Sequence, residues 1–231
     1  GEYGGAAARA WAALDAWDGG MRIEGPAALF VLFEQRLFEG VFADELDPEP
    51  VHAIHRRRWL LDLIEGRLSE RWYGDASAPA AVEARAQVLA EVLARSWEDG
   101  AARWGEDPAT WPYGELHRLH LRHPLGSLPL LGRWVDRGPL LMAGSATTVA
   151  AFGGPWRGDR RDVTYGPSMR WIAQPGAGDL ALAVLPAGQS GHPWDVHYDD
   201  QLELYLAGRM RETTWTEEAI ERATVSRLVL E

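Results

Sequence analysis

The sequence predicts an α+β protein in which helices come first and antiparallel strands follow. Over residues 1–110 the apolar side chains recur every three or four positions, the spacing that places them on one face of a helix. Over residues 111–231 the apolar runs are short and bounded by glycine and proline, as in strands, with two short helices near the C-terminus. Helices that precede strands, instead of alternating with them, are typical of the α+β class.

Four helices are predicted in the first segment, and local signals set their limits. Asp18-Gly19-Gly20 stops the first helix, because glycine readily takes the conformation found just after a helix. Pro26 opens the second helix, where its missing N–H group costs nothing, and Asp47-Pro48 ends or interrupts it. The four predicted helices span residues 6–17, 26–47, 51–68 and 81–97 or beyond.

The second segment is predicted to hold strands at residues 116–121, 140–152, 162–174, 180–185 and 225–230. The run 180–185 is apolar on both faces, which predicts a strand buried between two layers. One short helix is predicted from Tyr198 to Ala207. The next is predicted to begin with Thr216 as its N-cap and to carry Glu217 and Glu218 in its first turn.

The composition excludes several classes of protein. The net charge is −11 and the basic residues form no continuous stripe, so nucleic-acid binding is not expected. There is no cysteine, which excludes disulfides, cysteine-ligated zinc and thiol catalysis. No stretch approaches the roughly 18 apolar residues of a membrane span. The 12 tryptophans predict broad packing surfaces or interfaces, because tryptophan is large and hard to bury completely.

The densest group of chemically active side chains lies in the run from Gly188 to Gln201, with the sequence GQSGHPWDVHYDDQ. Ser190 stands there between glycines, with His192 and His197 close in sequence. A nucleophilic serine on a strand-to-helix turn needs the pattern Gly-x-Ser-x-Gly, and this run is one residue short of it. Ser190 with His192 or His197 is therefore a weak candidate for nucleophilic catalysis.

The same run offers four metal-ligand types in His192, His197, Asp199 and Asp200. A zinc site needs three or four ligands that converge on one point, and nothing in this spacing enforces convergence. The favoured interpretation is that the two aspartates cap or charge the first turn of the helix predicted at Tyr198. No metal site is predicted.

Three further histidines, His117, His120 and His123, recur at every third position and are followed by Pro124. A helix would place all three on one face, whereas a strand would place the middle one opposite the others. Neither arrangement matches a known metal or catalytic pattern, so partly buried, hydrogen-bonded histidines are predicted. The residues alone thus provide no complete catalytic set.

Several short motifs occur in order along nearly the whole chain. They are the Trp-Asp-Gly element at 17–19 with GPAALF at 25–30, WPYGELH at 111–117 with RHPLG at 122–126, YGPSMR at 165–170, the run 188–201, and 204–208. Their order and spacing resemble the penicillin acylase family of N-terminal nucleophile hydrolases. The resemblance is to the C-terminal part of that family's β subunit.

The resemblance implies a four-layer αββα fold built from an α and a β chain that are cut from one precursor. It implies an amidohydrolase in which the N-terminal serine of the β chain attacks a linear amide, with its own α-amino group as base. A carboxylate and an amine are released. That serine and the oxyanion asparagine precede the Trp-Asp-Gly element in the family, so no catalytic residue is expected in this chain. No cofactor is expected either, since the Ca²⁺ ligands of some members also lie outside the matched region.

The resemblance also implies partners and a location. The partners are the α subunit, the N-terminal part of the β subunit and a small-molecule amide, with penicillins and acyl-homoserine lactones as the known range. Large exposed apolar surfaces are expected where the protein partners pack. A periplasmic or secreted protein is expected, with any export signal outside this chain.

For the motif residues the resemblance implies structural roles. Trp194 and Tyr198 could approach an acyl pocket, although packing is the favoured interpretation. The motif residues concerned are Trp17, Asp18, Gly19, His117, His123, Pro124, Gly166, Pro167, Arg170, Gly188, Gln189, Ser190, Gly191, His192, His197, Tyr198, Asp200 and Gln201.

Two other functions stay open at this point. The first is a non-catalytic α+β interaction module that stands alone. The second is a serine hydrolase that uses Ser190 with His192 or His197.

Overall fold

The computed structural model describes residues 4–42, 61–67, 85–128, 130–157, 160–176 and 181–229 of the 231-residue chain. Within these ranges the long helices all precede residue 105 and the strands all follow residue 117. Every pair of named strands is antiparallel. The predicted α+β class is therefore confirmed.

The chain forms two compact units, and each unit is built from two separate stretches of the sequence. The first comprises residues 1–121 and 137–165, and the second comprises residues 122–136 and 166–231. The chain passes between the units at residues 121–122, 136–137 and 165–166. The division into segments 1–110 and 111–231 stays a prediction.

The elements of the first unit are mostly helical. Its helices are α1 (Gly5–Asp15), α2 (Ala27–Phe42), α3 (Arg85–Trp104) and the single turn α4 (Tyr113–Leu116). Residues 61–64 are also helical. Strands β1 (Arg118–Leu121) and β2 (Arg137–Leu141) form a two-stranded sheet in which Leu119 faces Leu140.

The second unit contains short elements. Helix α5 (Gly132–Val135) follows a 3-10 turn at Pro124–Ser127. Strands β3 (Arg170–Ala173), β4 (Ala181–Val184) and β5 (Arg211–Glu212) form a sheet with β4 in the centre. Helices α6 (Leu202–Leu206) and α7 (Glu217–Ala223) flank β5 in sequence.

The core of the first unit forms where α1, α2 and α3 meet the segment around Trp111. The Trp111 side chain is completely buried, and its ring lies 5.7 Å from that of Trp97 and 5.8 Å from that of Trp104. Its indole N–H donates to the carbonyl of Gly105 at 2.8 Å, so the one polar atom of the side chain is satisfied. A Cβ at Gly100 would overlap the Trp111 ring, so only glycine fits at this position of α3.

Most predicted helices are present with small changes in their limits. α1 ends at Asp15, α2 begins just after Pro26, and α3 extends the fourth predicted helix to Trp104. The side chain of Thr216 accepts a hydrogen bond from the Ala219 N–H at 3.2 Å, which confirms it as the N-cap of α7. Most of the third predicted helix, and the ends of the second and fourth, lie outside the described residues.

Four predicted elements are wrong, in whole or in part, in the described residues. The helix predicted from Tyr198 begins only at Leu202, because residues 192–200 form successive turns. Of the long strands predicted at 140–152 and 162–174, only residues 140–141, at the end of β2, and residues 170–173, which form β3, belong to named strands. Residues 224–229 form no strand and are exposed, because no described strand pairs with them.

The contact between Gly100 and Trp111 predicts that alanine will destabilise the fold at Gly100 but not at a helical glycine with free space around it. Gly100→Ala should lower the free energy of unfolding by about 1–3 kcal/mol, because the new methyl group overpacks the core. Gly40→Ala in α2 is the matched control. The nearest atom to its added Cβ would be Val92 Cγ2 at 3.7 Å, an ordinary contact. It should be neutral or stabilising by up to about 1 kcal/mol, because alanine favours helices. Urea unfolding measures the change in free energy of unfolding for both variants. Equal changes would contradict the close packing of Trp111 on Gly100.

Candidate functional site

The run Gly188 to Gln201, called the 188–201 segment below, leaves β4 and leads into α6. A Cβ at Gly188 would overlap the backbone carbonyl of His197, so the two ends of the segment approach each other too closely for any side chain there. The N–H of Ser190 donates to that same carbonyl at 3.1 Å. The glycine is thus required by a close approach of backbone, and the segment is a closed loop.

Four polar side chains of the 188–201 segment make hydrogen bonds within the segment itself, two to its backbone and two to each other. Ser190 Oγ accepts a hydrogen bond from the His192 N–H at 3.1 Å. Asp195 Oδ1 accepts one from the His197 N–H at 2.8 Å. The imidazole of His197 donates from Nδ1 to Asp200 Oδ2 at 2.9 Å. These side chains fix the shape of the loop.

The prediction that Asp199 and Asp200 cap the next helix is wrong. The N-cap of α6 is Gln201, whose side chain makes no capping hydrogen bond. The Asp200 carboxylate instead binds His197, and Arg211 Nη1 lies 3.8 Å away from it. Because the helix begins later than predicted, Asp200 belongs to the loop.

The geometry does not assemble a serine–histidine catalytic pair. Within the described ranges no hydrogen bond joins Ser190 Oγ to the imidazole of His192 or His197, although a base must reach the hydroxyl proton. Nor do any three histidine or carboxylate side chains of the described residues come together as a metal site. The prediction that this chain needs no cofactor stays a prediction.

Two residues anchor the C-terminal half of the segment. Gln201 is only 2% exposed, and its side-chain Oε1 accepts a hydrogen bond from the Leu185 N–H at 3.0 Å. Its backbone N–H donates to the Ala187 carbonyl at 2.8 Å. The hydroxyl of Tyr198 donates to the Val135 carbonyl. Gln201 therefore connects the start of α6 to the end of β4.

His123 anchors the other half. Its Nδ1 accepts from the Leu125 N–H at 3.1 Å, so the remaining proton is on Nε2, which lies 3.3 Å from the Gly191 carbonyl. Its backbone N–H donates to Asp136 Oδ1 at 2.8 Å. Pro124 follows as the first residue of a 3-10 turn. The HPLG motif and the 188–201 segment are thus in direct contact.

The packing interpretation of Trp194 is wrong. Its side chain is 72% exposed and lies edge-on to the ring of His192 at 5.5 Å. Gln189 and Gly191 are exposed as well, whereas Tyr198 is half-buried. The centre of the segment therefore presents its side chains outward.

The YGPSMR motif meets α6 through Tyr205, a residue that the sequence did not single out. The Tyr205 hydroxyl donates to the Pro167 carbonyl at 2.6 Å. Arg170 Nη1 donates to the Tyr205 carbonyl at 2.9 Å, and the guanidinium lies 4.4 Å from the centre of the Tyr205 ring. Burial raises the pKa of Tyr205, and the charge of Arg170 opposes that shift. Gly166 is exposed next to this contact.

In the first unit the Trp-Asp-Gly element forms a tight turn after α1. The Trp17 indole N–H donates to the Gly20 carbonyl at 3.1 Å, and Gly19 has a positive φ of 76°. The Asp18 carboxylate accepts from the Gly20 N–H at 2.8 Å and from Arg22 at 2.9 and 2.6 Å. The Arg22 hydrogen bond, followed by that of Gly20, lowers the pKa of Asp18 to about 2.

The remaining motif histidine, His117, is a core residue. It is 1% exposed, its ring is stacked on Tyr113 at 5.2 Å, and its Nδ1 donates to the Met142 carbonyl at 3.1 Å. The hydrogen bond predicted for it is confirmed, although the side chain is fully and not partly buried. The partial burial predicted for His120 is wrong, because that residue is exposed in β1.

Comparisons with known proteins match most of the chain. The penicillin amidase family model matches residues 3–222 of the chain. The acyl-homoserine lactone acylase QuiP of Pseudomonas putida is 32% identical over 207 residues, which cover 86% of this chain and 25% of that protein. The protein of the same name from Pseudomonas aeruginosa is 30% identical over 226 residues, which cover 88% and 26%. The chain spans about a quarter of the length of these curated relatives.

Among solved structures, a thermostable penicillin G acylase from Alcaligenes faecalis aligns with 96% of this chain and 42% of its own. The sequence identity is 16% and the TM-score is 0.46.

The anchoring role of Gln201 can be measured. Gln201→Ala removes the acceptor of the buried Leu185 N–H and should lower the free energy of unfolding by about 1–3 kcal/mol. Gln189→Ala, in the same segment but exposed, is the matched control and should change it by less than about 0.5 kcal/mol. Urea unfolding followed by circular dichroism compares the two, and a harmless Gln201→Ala would contradict the anchor.

The Asp18 turn predicts a stability difference that depends on pH. The pKa of Asp18 is about 2 in the folded chain against an ordinary value of 3.8, so the ionised form is stabilised by folding. Its contribution should be fully present above pH 3.8 and be lost as the pH falls to about 2. The free energies of unfolding of the wild type and Asp18→Asn should therefore converge across that window.

In an NMR titration, Arg22→Gln should raise the pKa of Asp18. An unchanged midpoint would contradict the assignment of the low pKa to the Arg22 hydrogen bond.

Proposed function

The chain belongs to the penicillin amidase family, and from this premise we propose that it forms the C-terminal portion of the β subunit of an acylase. The enzyme would hydrolyse a linear amide to a carboxylate and an amine. The observation that carries the proposal is the family match over residues 3–222, with relatives that are themselves named acylases. In this assignment the chain contributes scaffold and part of the wall of the substrate pocket.

The nucleophile in this proposal is the N-terminal serine of the β subunit, supplied by a part of the longer polypeptide outside this chain. Its α-amino group takes the hydroxyl proton as the oxygen attacks the amide carbonyl, and the amine leaves. Water then hydrolyses the acyl-enzyme. The contacts of the 188–201 segment support this assignment, because Ser190, His197 and Asp200 bind within the loop. No metal or cofactor takes part in the proposed reaction.

The proposed partners are the α subunit and the N-terminal part of the β subunit. Trp171 and Ile172 are adjacent in β3 and therefore point to opposite faces of the sheet, yet they are 50% and 54% exposed. Trp215 is 51% exposed, and its ring lies 5.8 Å from that of Trp171. A strand that is apolar on both faces is typical of a sheet covered on both sides. We therefore assign the cover of this surface to those partners.

The proposed substrates are N-acylated amines, and N-acyl-homoserine lactones are the first class to test because the curated relatives carry that name. Penicillins are the second. A periplasmic or secreted location belongs to the same proposal. No described helix is both long and apolar enough to cross a membrane.

Denaturing intact-mass analysis of the protein, purified under native conditions from its native host, tests the assembly, and the same preparation is assayed for turnover. The expected result is a companion chain whose first residue is serine, together with turnover of N-octanoyl-homoserine lactone or of a phenylacetylated amine. Replacement of that serine by alanine should abolish turnover. A single species of about 25.6 kDa without amide hydrolysis would overturn the proposal and favour a non-catalytic module.

Ser190→Ala in the assembled enzyme separates the two nucleophiles. Turnover should be within about twofold of the wild type, because Ser190 Oγ only accepts a loop hydrogen bond. The isosteric control Ser190→Cys should behave in the same way. Loss of turnover in Ser190→Ala with an unchanged unfolding midpoint would assign catalysis to Ser190 instead.

A further inference from the structure

The imidazole of His123 makes two contacts that require opposite roles of its two nitrogens. Its Nδ1 accepts from the Leu125 N–H at 3.1 Å and thereby caps the 3-10 turn at Pro124–Ser127. Its Nε2 lies 3.3 Å from the Gly191 carbonyl, which can only accept. A neutral imidazole has one acceptor nitrogen and one donor nitrogen. Both contacts therefore exist together only in the neutral ring with its proton on Nε2.

Uptake of a second proton by His123 removes one of these contacts. An imidazolium donates from both nitrogens and accepts at neither. The new proton on Nδ1 would point at the Leu125 N–H, so that two donors would face each other where one hydrogen bond now stands. The contact of Nε2 with Gly191 is compatible with both states, since Nε2 donates in each. Protonation therefore acts on the cap of the turn.

The turn that His123 caps is short and lies at the surface. The Gly126 N–H donates to the His123 carbonyl at 2.8 Å, and the Leu128 N–H donates to the Leu125 carbonyl at 3.1 Å. Leu125 and Leu128 are 47% and 48% exposed, so burial of their side chains adds little to the turn. Its order therefore depends on hydrogen bonds, and the His123 cap is one of them.

Charged groups of the same stretch of chain lie around His123 without binding its ring. The Asp136 carboxylate accepts from the His123 backbone N–H at 2.8 Å. Arg122, which precedes His123, and Arg133 in α5 are both exposed. These charges surround the motif, but the imidazole itself is bound by other groups.

The 188–201 segment brings further titratable groups towards His123. The ring of Tyr198 lies edge-on to the imidazole, with 6.1 Å between the ring centres. The Asp195 and Asp200 carboxylates bind within the segment, and His192 is exposed. In the part of the chain that the structure describes, the hydrogen-bond partners of the imidazole are thus two backbone groups, whose own charge does not change with pH.

We propose that His123 is a pH-dependent link between the HPLG motif and the 188–201 segment, in which the neutral ring closes the turn and protonation opens it. Histidine suits this use, because its charge ordinarily changes between about pH 5 and 8. The stabilisation by the cap is present while the ring is neutral and is lost as the pH falls and the ring takes up a proton. The proposal rests on the geometry of this chain and does not require acylase activity.

NMR spectroscopy of the uniformly ¹⁵N-labelled 231-residue chain tests the tautomer and the cap directly. At about pH 8 the imidazole nitrogen shifts should place the proton on Nε2. A scalar coupling across the hydrogen bond should then connect the Leu125 amide nitrogen to His123 Nδ1, and it should be lost at about pH 5. A proton on Nδ1 at the higher pH, absence of the coupling there, or its persistence at the lower pH would overturn the proposal.

The mobility of the turn is a second readout in the same sample. The backbone order parameters of Leu125, Gly126 and Ser127 should fall from about 0.85 at the higher pH to below about 0.6 at the lower one. The order parameter of Tyr205, which is buried in α6, should stay near 0.85 and serves as the internal control. A turn that is equally ordered at both pH values would show that the cap does not control it, and the proposal would be overturned.

Two variants assign the pH response to His123. His123→Asn supplies an oxygen that can accept from the Leu125 N–H and does not titrate in this range, and asparagine is a preferred cap. Its turn should stay ordered at both pH values. His120→Asn, which replaces an exposed histidine in β1, is the matched control and should keep the wild-type response. Loss of order at low pH in His123→Asn, or a constant turn in His120→Asn, would assign the response to another group and overturn the proposal.

Discussion

The packing of Trp111 on Gly100 is the contact on which the first unit depends. One buried indole fills the space that a side chain at Gly100 would need, and its N–H is satisfied by the Gly105 carbonyl at 2.8 Å. The backbone carbonyl of Trp111 accepts from the Gly25 N–H at 2.9 Å. A single residue therefore links the end of α3 to the start of α2.

In the second unit, polar contacts between motifs hold the elements together, as apolar packing does in the first unit. The side chain of Gln201 binds the end of β4, and Arg170 and Pro167 both bind Tyr205. Residues that stand far apart in sequence are thus tied to one another by side chain to backbone hydrogen bonds. Loss of one acceptor is expensive here, because leaving a buried donor unsatisfied costs more free energy than a typical hydrogen bond contributes. The serine, histidine and aspartate side chains of the 188–201 segment are used in the same way, because their hydrogen bonds fix the loop and form no catalytic pair among the described residues.

Elements set by local signals could be predicted from the sequence, and elements set by distant contacts could not. Pro26 and Thr216 mark helix starts through their own backbone and side-chain chemistry, and both helices begin beside them. The late start of α6 follows from the close approach at Gly188, which no local pattern reveals. Alternation at 225–230 resembles a strand, but a strand also needs a neighbour.

The exposed strand β3 has a consequence for the way this polypeptide must be handled by a cell. An open strand edge with apolar side chains on both sides is a template onto which another copy can add, and edge strands without charges or bulges are prone to aggregate. Arg170 is the one charged residue of β3, and its guanidinium is held over Tyr205 instead of guarding the edge. A further strand or a partner surface that covers this edge would remove that tendency to self-associate.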